Sequence, residues 1–316
     1  MTFVIRSLPC YMLESKMGRM VMKQMIIAVS LLLAFGVGCD ERQDRQLPQD
    51  RQLPNGTRLF GERTLKDGTK KVERFEYPDG QKEFDVTSGL PDGTEKAGRV
   101  EFANGQKWFD VTRLPDGTTK TGRFEYPDGR KAFDWTRLPD GTEKAGRVEF
   151  PSGNKQFDWT TLPDGTQKAG RDEFSNGHKA FDMTTFPDGT IKTGRDEFPN
   201  GEKRFDSTTL PDGTTKTGRG EEPNGEKWFD MTVLPDGTTK TRRVEYPNGE
   251  KWFDVTRPKD GTEKAGRVEF SNGEKYFDMT VLPHGTIKIR RDEFPNGQKK
   301  FDVTWRPNGT VKSRVR

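Results

Sequence analysis

The chain has 316 residues, of which only 29% are hydrophobic and 33% are charged. A globular chain of this length normally buries one or two large cores, and this composition holds too little apolar material for them. The formal charge is +4, and it falls to +1 when the four basic residues and one acid of residues 1–38 are left out. The remaining charges alternate in sign, which excludes the basic stripe of a nucleic-acid-binding surface.

The first predicted element is a secretory signal over residues 1–38. Arg19 and Lys23 precede the apolar run Met25–Val37, which is short for a bilayer span and has the flanks of a signal segment. The first 16 residues are long for such a signal, so Met17, Met20 or Met22 are alternative starts. An ordinary cleaved signal or an N-terminal anchor helix is also compatible with this pattern.

The apolar run ends in Phe35–Cys39 (FGVGC), which resembles the lipobox of bacterial lipoproteins. The resemblance implies that Cys39 is lipidated and becomes the new N-terminus. It also implies a location in the cell envelope, facing the periplasm or the cell surface. Asp40 directly follows the cysteine and resembles an inner-membrane retention signal. We therefore expect attachment to the membrane through a lipid.

Residues 39–52 are polar and contain proline, which predicts a flexible linker between the anchor and the following region. The chain has two cysteines, Cys10 and Cys39, and both precede residue 53. Residues 53–316 can therefore form neither a disulfide nor a thiolate metal site.

Residues 53–316 consist of tandem 24-residue repeats, seen clearly in Leu90–Arg113 (LPDGTEKAGRVEFANGQKWFDVTR). Each repeat holds two half-units that end in PDG, PNG or SNG, with a single slip between Gly80 and Gly93. Asp-Gly and Asn-Gly between short alternating segments are strong hairpin signals. The predicted fold is all-β, an open single-layer antiparallel β-meander (a twisted ribbon) of about 22 strands. Disorder is the alternative that the polar composition suggests.

The strand register depends on the length of the hairpin loops. A two- or four-residue loop sets Arg99 opposite Asp110 and Arg123 opposite Asp134, a ladder of opposite charges. The phenylalanines would then lie on the other face, opposite valines such as Val100. A three-residue loop with a glycine bulge would instead set arginine against phenylalanine. We prefer the even loop because each row of side chains across the sheet is then chemically consistent. The register is the same in every hairpin, so the strands accumulate no stagger, which disfavours closure into a barrel.

Four aromatic residues are candidates for partner binding: Trp108, Trp228, Trp252 and Tyr276. In the even-loop register they lie on the face of the Arg–Asp ladder, and the last three occupy consecutive repeats. An exposed aromatic stripe of this kind is typical of protein or glycan binding. The alternative is that these rings only pack on a half-buried sheet.

Catalytic motifs are not found in the repeats. The two histidines, His178 and His284, lie in or beside turns, and no nucleophile elbow, P-loop or HExxH motif is present. Acid catalysis needs two carboxylates in contrasting environments, whereas these recur identically. Turn aspartates such as Asp116 are predicted to form turns rather than to bind calcium. We therefore expect no enzyme activity, no cofactor and no metal.

The repeat text PDGTxK followed by Phe198–Phe205 (FPNGEKRF) resembles the G-box repeats of the T-complex protein ten C-terminal domain. This resemblance implies a single-layer antiparallel meander that acts as a scaffold and binds a proline-rich partner segment. The YPNG and YPDG turns more loosely resemble MORN-type repeats. Neither resemblance transfers a centriolar role to a chain with a bacterial lipobox.

Together these patterns predict a non-enzymatic, lipid-anchored repeat protein of the bacterial cell envelope. Its ribbon would act as an extended spacer or as a protein-binding scaffold. The main alternative is a cytoplasmic interaction module, such as an antitoxin or assembly scaffold, with an unprocessed N-terminus. A glycan-binding or carbohydrate-active protein is a more remote alternative, suggested only by aromatic residues among acids.

Overall fold

The computed structural model describes residues 49–314, and side chains through residue 313. The described residues belong to the second of two units, Gln46–Arg316. Within them, all elements form one antiparallel sheet of 23 strands. The strands are β1 (Gln49–Gln52), β2 (Arg58–Thr64), β3 (Lys70–Glu76), β4 (Lys82–Ser88), β5 (Glu95–Glu101), β6 (Lys107–Arg113), β7 (Thr119–Glu125), β8 (Lys131–Arg137), β9 (Glu143–Glu149), β10 (Lys155–Thr161), β11 (Gln167–Glu173), β12 (Lys179–Thr185), β13 (Ile191–Glu197), β14 (Lys203–Thr209), β15 (Thr215–Glu221), β16 (Lys227–Val233), β17 (Thr239–Glu245), β18 (Lys251–Arg257), β19 (Glu263–Glu269), β20 (Lys275–Val281), β21 (Ile287–Glu293), β22 (Lys299–Trp305) and β23 (Val311–Arg314).

Each strand from β2 to β22 pairs with the strand before it and the strand after it, so the sheet is an open meander, as predicted. The N-terminal edge pair is β1 with β2 and the C-terminal edge pair is β22 with β23. The prediction of 22 strands missed β1, because Gln49–Gln52 falls in the segment predicted as linker. The described sheet therefore includes the four residues before residue 53. The predicted signal segment, Cys39 and Asp40 lie outside the described residues.

The hairpin loops have three residues, which differs from the predicted even loop. In the loop after β6, the N–H of Leu114 donates to the carbonyl of Thr118 (2.8 Å) and that of Gly117 donates to the carbonyl of Leu114 (3.0 Å). Gly117 has a φ of +88°, which completes a type I turn with a glycine bulge. Asp116 Oδ1 also accepts from the N–H of Thr118 at 2.8 Å. Three hydrogen bonds thus satisfy six backbone and side-chain groups within the loop.

The predicted ladder of Arg99 with Asp110 and Arg123 with Asp134 is wrong. Arg99 lies opposite Phe109, and Arg123 lies opposite Phe109 on one side and Phe133 on the other. The bulge at each turn glycine adds a residue to the loop and moves every pairing by one position. Val100 accordingly lies opposite Trp108, and the predicted phenylalanine–valine rows do not form.

The aspartate in the middle of every second strand has a positive φ, between 51° and 54°. These residues are Asp85, Asp110, Asp134, Asp158, Asp182, Asp206, Asp230, Asp254, Asp278 and Asp302. A left-handed residue breaks the two-residue alternation of side chains, so Trp108 and Val111, three positions apart, pack in the same cluster. A glycine of the neighbouring strand lies against most of these aspartates, as Gly122 does against Asp110.

Two faces result from this geometry. The packed face carries Ala97, Val100, Trp108, Val111 and their equivalents in other repeats, and it holds three clusters of buried side chains. The Arg–Phe face carries the arginines and phenylalanines that lie opposite each other on neighbouring strands, such as Arg123 and Phe109. There the guanidinium carbon of Arg123 lies 4.1 Å from the centroid of the Phe109 ring, and Arg123 Nε lies 3.3 Å from Glu125 Oε1. Cation–π stacking explains why arginine opposes phenylalanine.

The strands bend along their length, so the packed face is concave. Arg257 and Tyr246 lie at opposite ends of the β17–β18 hairpin, which in straight strands would be about 23 Å apart. Nevertheless, Arg257 Nη2 donates to Tyr246 Oη at 3.2 Å. Arg113 and Glu83 likewise meet at 2.9 Å across the face. The row of left-handed aspartates therefore acts as a crease that bends the strands toward the packed face.

Candidate functional site

The four predicted aromatic residues lie on the packed face rather than on the face with the arginines. Trp228 is buried, and Trp252 and Tyr276 are half-buried against the same cluster, so the predicted exposed stripe is wrong. Trp108 belongs to different clusters. The register explains this change, because each of these positions lies opposite a valine or its equivalent on the neighbouring strands. The structure thus brings together three of the four candidates.

A glycine sets the position of Trp228. Gly220 lies directly opposite Trp228 on β15, at a place where other repeats carry Val100, Val148 or Val244. A Cβ added to Gly220 would lie 2.0 Å from the Trp228 ring, so the indole occupies the place that a side chain at position 220 would fill. Because the ring occupies this space, the region beside it stays open.

An open cavity of about 320 Å³ lies next to Trp228 on the packed face. Its lining combines an aromatic floor, acidic groups and two arginines: Glu202, Arg204, Glu222, Glu226, Trp228, Met231, Thr239, Thr241 and Arg257. The lining residues come from both ends of the strands, which is possible because the face is concave. Such a surface can bind an extended chain by apolar contact and by hydrogen bonds.

Ion pairs hold the polar groups of this cavity in place. Arg204 Nε donates to Glu202 Oε1 at 2.6 Å, and Trp228 Nε1 donates to Glu222 Oε1 at 3.4 Å. Arg257 pairs with Glu263. Burial raises the pKa of Glu226, with Arg257 acting in the opposite direction. The acids of the wall outnumber its two arginines, so the cavity favours a neutral or basic ligand.

Between the clusters of residues 124–159 and 228–303, the row of the packed face that elsewhere carries Val100 and Trp108 becomes polar. The row reads Gln156, Asp172, Ala180, Asp196 and Arg204, and then Gly220. The sequence shows this interruption as acids in valine positions. The residue pattern alone did not identify these side chains as a site, because the predicted even-loop register set them opposite the wrong residues of the neighbouring strands.

Asp172 is the most unusual acid of this interval. It is 2% exposed, its Oδ2 accepts from Gln156 Nε2 at 3.1 Å, and its Oδ1 has no hydrogen-bond partner. Burial raises the pKa of Asp172 to about 6, against the hydrogen bond from Gln156 and the charge of His178. The opposite holds for turn acids such as Asp116, whose pKa is lowered by the N–H of Thr118.

His178 is inserted between two aromatic rings. Its ring centroid lies 4.8 Å from that of Phe174 and 4.6 Å from that of Phe198, with planes inclined by 13° and 11°. His178 Nε2 lies 3.0 Å from Asp196 Oδ1, so the ring donates to this carboxylate. The second histidine, His284, is an exposed turn residue, as predicted.

A second cavity, of about 90 Å³, lies one repeat before His178. It is lined by Phe150, Asn154, Lys155, Gln156, Asp172, Glu173 and Phe174. Its lining includes the buried Asp172 and two phenylalanines that directly follow strands β9 and β11.

Among residues 49–314, no group of three or more histidine, cysteine, aspartate or glutamate side chains is arranged to hold a metal ion. The same residues include no helix that is long and apolar enough to cross a membrane.

No model of a protein family matches the sequence, and a comparison with curated proteins finds no match. Solved structures with some similarity include the SAS-4 (dCPAP) TCP domain of Drosophila melanogaster, in complex with a proline-rich motif of Ana2 (dSTIL). It is 20% identical, with 65% of this chain and 97% of that chain covered, at a TM-score of 0.23. Virginiamycin B lyase from Staphylococcus aureus is 10% identical over 84% of this chain and 83% of its own (TM-score 0.12). A streptogramin B lyase structure is 14% identical over 85% and 86% (TM-score 0.12). At these values the similarity carries no argument about function.

Proposed function

We propose that the repeat sheet is a non-enzymatic scaffold that binds an extended segment of a partner protein along its packed face. The observation that carries this proposal is the cavity of about 320 Å³ beside Trp228. It lies on a concave face and combines an indole floor with hydrogen-bonding side chains. A proline-rich segment, which the sequence resemblance implies, would place flat apolar rings against the indole and backbone carbonyls toward the donors of the wall.

The absence of catalysis is part of the proposal and has its own support. The turn aspartates use their carboxylates to accept backbone N–H groups, as Asp116 does from Thr118. Burial gives a pKa of about 6 both to Asp172 and to Asp292. These two acids are five repeats apart along the chain, so they do not form the close pair that general acid–base catalysis of glycoside hydrolysis requires.

The test is binding of the full chain to a displayed library of peptides that includes proline-rich sequences, with a glycan array beside it. We expect the double variant Trp228→Ala with Trp252→Ala to weaken peptide binding by about tenfold or more, since buried tryptophans often dominate protein interfaces. The matched control is Trp108→Ala, which removes an indole from the packed face away from this cavity. Equal loss in the control, or selection of glycans and no peptide, would contradict the proposed site.

We further propose that Cys39 is lipidated and anchors the scaffold in the cell envelope. The support is the sequence alone, namely the apolar run Met25–Val37 followed by the lipobox-like Phe35–Cys39. Intact mass of protein isolated from its native membrane should show a diacyl or triacyl addition that is absent from Cys39→Ser. An unprocessed chain in the soluble fraction would favour the cytoplasmic interaction module instead.

A further inference from the structure

The repeats provide an internal comparison between the His178 position and the same position one repeat earlier. Residues 24 positions apart occupy equivalent places, so Asn154 corresponds to His178, Asp172 to Asp196, and Phe150 and Phe174 to Phe174 and Phe198. In the later repeat, the space between the two phenylalanines is filled by the histidine ring, which donates to the carboxylate. The protein itself thus shows which chemical group fits this space.

In the earlier repeat the space is open, because Asn154 has no ring and its Oδ1 instead accepts from the N–H of Ser175 at 2.9 Å. This is the cavity of about 90 Å³ between Phe150 and Phe174. Equivalent residues of successive repeats are two strands apart, which is about 9.6 Å at ordinary strand spacing. That distance admits one planar group about 4.7 Å from each ring, as His178 shows in the next repeat.

We infer that this cavity, termed the arginine slot, binds the guanidinium of an arginine from the partner that the packed face receives. The guanidinium would stack between Phe150 and Phe174 and donate to Asp172. The inference rests on the proposed scaffold function for the source of the arginine, and it adds the identity of a side chain that the partner must carry.

Three properties of the slot favour arginine. The group must be planar to fit between two rings, and a guanidinium is planar and stacks on aromatic faces, whereas an ammonium is compact. It must donate hydrogen bonds, since Asp172 Oδ1 is buried without a partner. A cation is favoured because the slot is lined by the carboxylate of Asp172, whereas Glu173 is already paired with Arg171 Nε at 3.4 Å. The nearby Arg204 shows the same preference, with its guanidinium carbon 4.8 Å from the Phe198 centroid.

The slot is tested on the full chain with N-acetylarginine amide as the probe, followed by ligand-observed NMR at pH 7.5, where Asp172 is ionised. Its neutral isostere, N-acetylcitrulline amide, is the matched probe. We expect saturable binding of the arginine probe and at least about fivefold weaker binding of the citrulline probe, because charge-assisted hydrogen bonds are about twice as strong as neutral ones.

Three variants locate the binding. Asn154→His places in the slot the ring that fills the equivalent space in the next repeat, and it should abolish binding. Asp172→Asn should weaken binding by about fivefold or more. Asp196→Asn changes the equivalent acid in the filled space and should leave binding unchanged; thermal unfolding of each variant shows that the sheet is intact.

Equal binding of the two probes, undiminished binding by Asn154→His, or no saturable binding at all would overturn the arginine slot. None of these results bears on the scaffold proposal, which is judged separately by the tryptophan variants. If the tryptophan variants lose peptide binding and the arginine probe does not bind, the scaffold proposal stands and the requirement for an arginine is removed.

Discussion

Aspartate takes three different roles in this sheet, and its position alone decides which. In the turns, Asp164 accepts from the N–H of Thr166, which lowers its pKa. In the middle of strands, Asp134 has a φ of +52°. On the packed face, Asp172 is buried with one oxygen unpartnered. One residue type therefore contributes a turn, a crease and a buried polar site.

Asp172 should make the stability of the sheet fall as the pH rises. Its pKa is raised from 3.8 to about 6 in the folded chain, so folding favours the protonated form. This contribution is fully present below pH 3.8 and is lost as the pH rises through about 6. Asp172→Asn should accordingly match the wild type at pH 4 and be more stable at pH 8, by at most about 3 kcal/mol. The measurement is the midpoint of thermal unfolding at both pH values.

The control for this prediction is an acid with the opposite shift. The pKa of Asp164 is lowered, so its contribution is present above pH 3.8 and is lost on acidification. Asp164→Asn should therefore not gain stability at pH 8. A gain of similar size in both variants would show that the effect reflects overall charge rather than burial of Asp172.

At the scale of the strand, the left-handed aspartate determines which side chains share a face. With regular alternation, Trp108 and Val111 would point to opposite sides of the sheet and could not pack in one cluster. In β2, Gly61 takes the place of this aspartate and also has a positive φ, +68°. Backbone conformation, rather than the carboxylate, is thus the common property of the position.

Substitutions at Asp134 should separate the backbone from the side chain. A left-handed conformation costs a residue with a Cβ about 1–2 kcal/mol, and glycine avoids this cost. We expect Asp134→Gly to be more stable than Asp134→Ala by about 1 kcal/mol, measured by chemical unfolding.

The matched pair is Thr136→Gly and Thr136→Ala, two positions along the same strand, where φ is not positive. There the order should reverse, because glycine in a strand costs conformational entropy. If alanine were the better residue at both sites, the crease would not depend on the left-handed conformation.

Across the whole described sheet, backbone contacts join neighbouring strands, and side-chain contacts such as Arg113 with Glu83 reach only to the adjacent repeat, so the stability of the sheet is a sum over repeats and their interfaces. The structural unit is nevertheless 24 residues rather than 12, because the two strands of a repeat differ. One carries phenylalanine and the left-handed aspartate, while the other carries arginine and usually glycine. Each stack of arginine on phenylalanine requires both kinds of strand to alternate.

Deletions test the size of the unit. Removal of residues 138–161, one full repeat, should leave a cooperatively unfolding sheet, because every remaining strand keeps a neighbour of the other kind. Removal of residues 138–149 alone would set Phe157 opposite Trp135 and Asp158 opposite Asp134, and should disrupt the local pairing. Hydrogen exchange of the strand amides around the junction measures the difference. Equal protection in both deletions would make the 12-residue half-unit the true repeat.

The sequence by itself determined the class and topology of the fold. Turn glycines at regular spacing and alternating short segments specify an antiparallel meander, since hairpin chemistry is local. The polar interval at Asp172 and Asp196 was also visible as acids in apolar positions. The register was not determined, because even and bulged loops differ by one residue and both place reasonable partners opposite each other.

Only the tertiary structure decided what lies on each face. The register places Trp228, Trp252 and Tyr276 opposite valines or their equivalents. A positive φ at ten aspartates leaves no trace in a pattern based on alternation, yet it brings Val111 and its equivalents onto the same packed face. The arginine slot and the Trp228 cavity depend on residues that the register brings together from different strands: Phe150 and Phe174 line the slot, and Trp228 lies against Gly220. Spacing along a chain fixes local turns, whereas the space between side chains depends on which strands the register brings together.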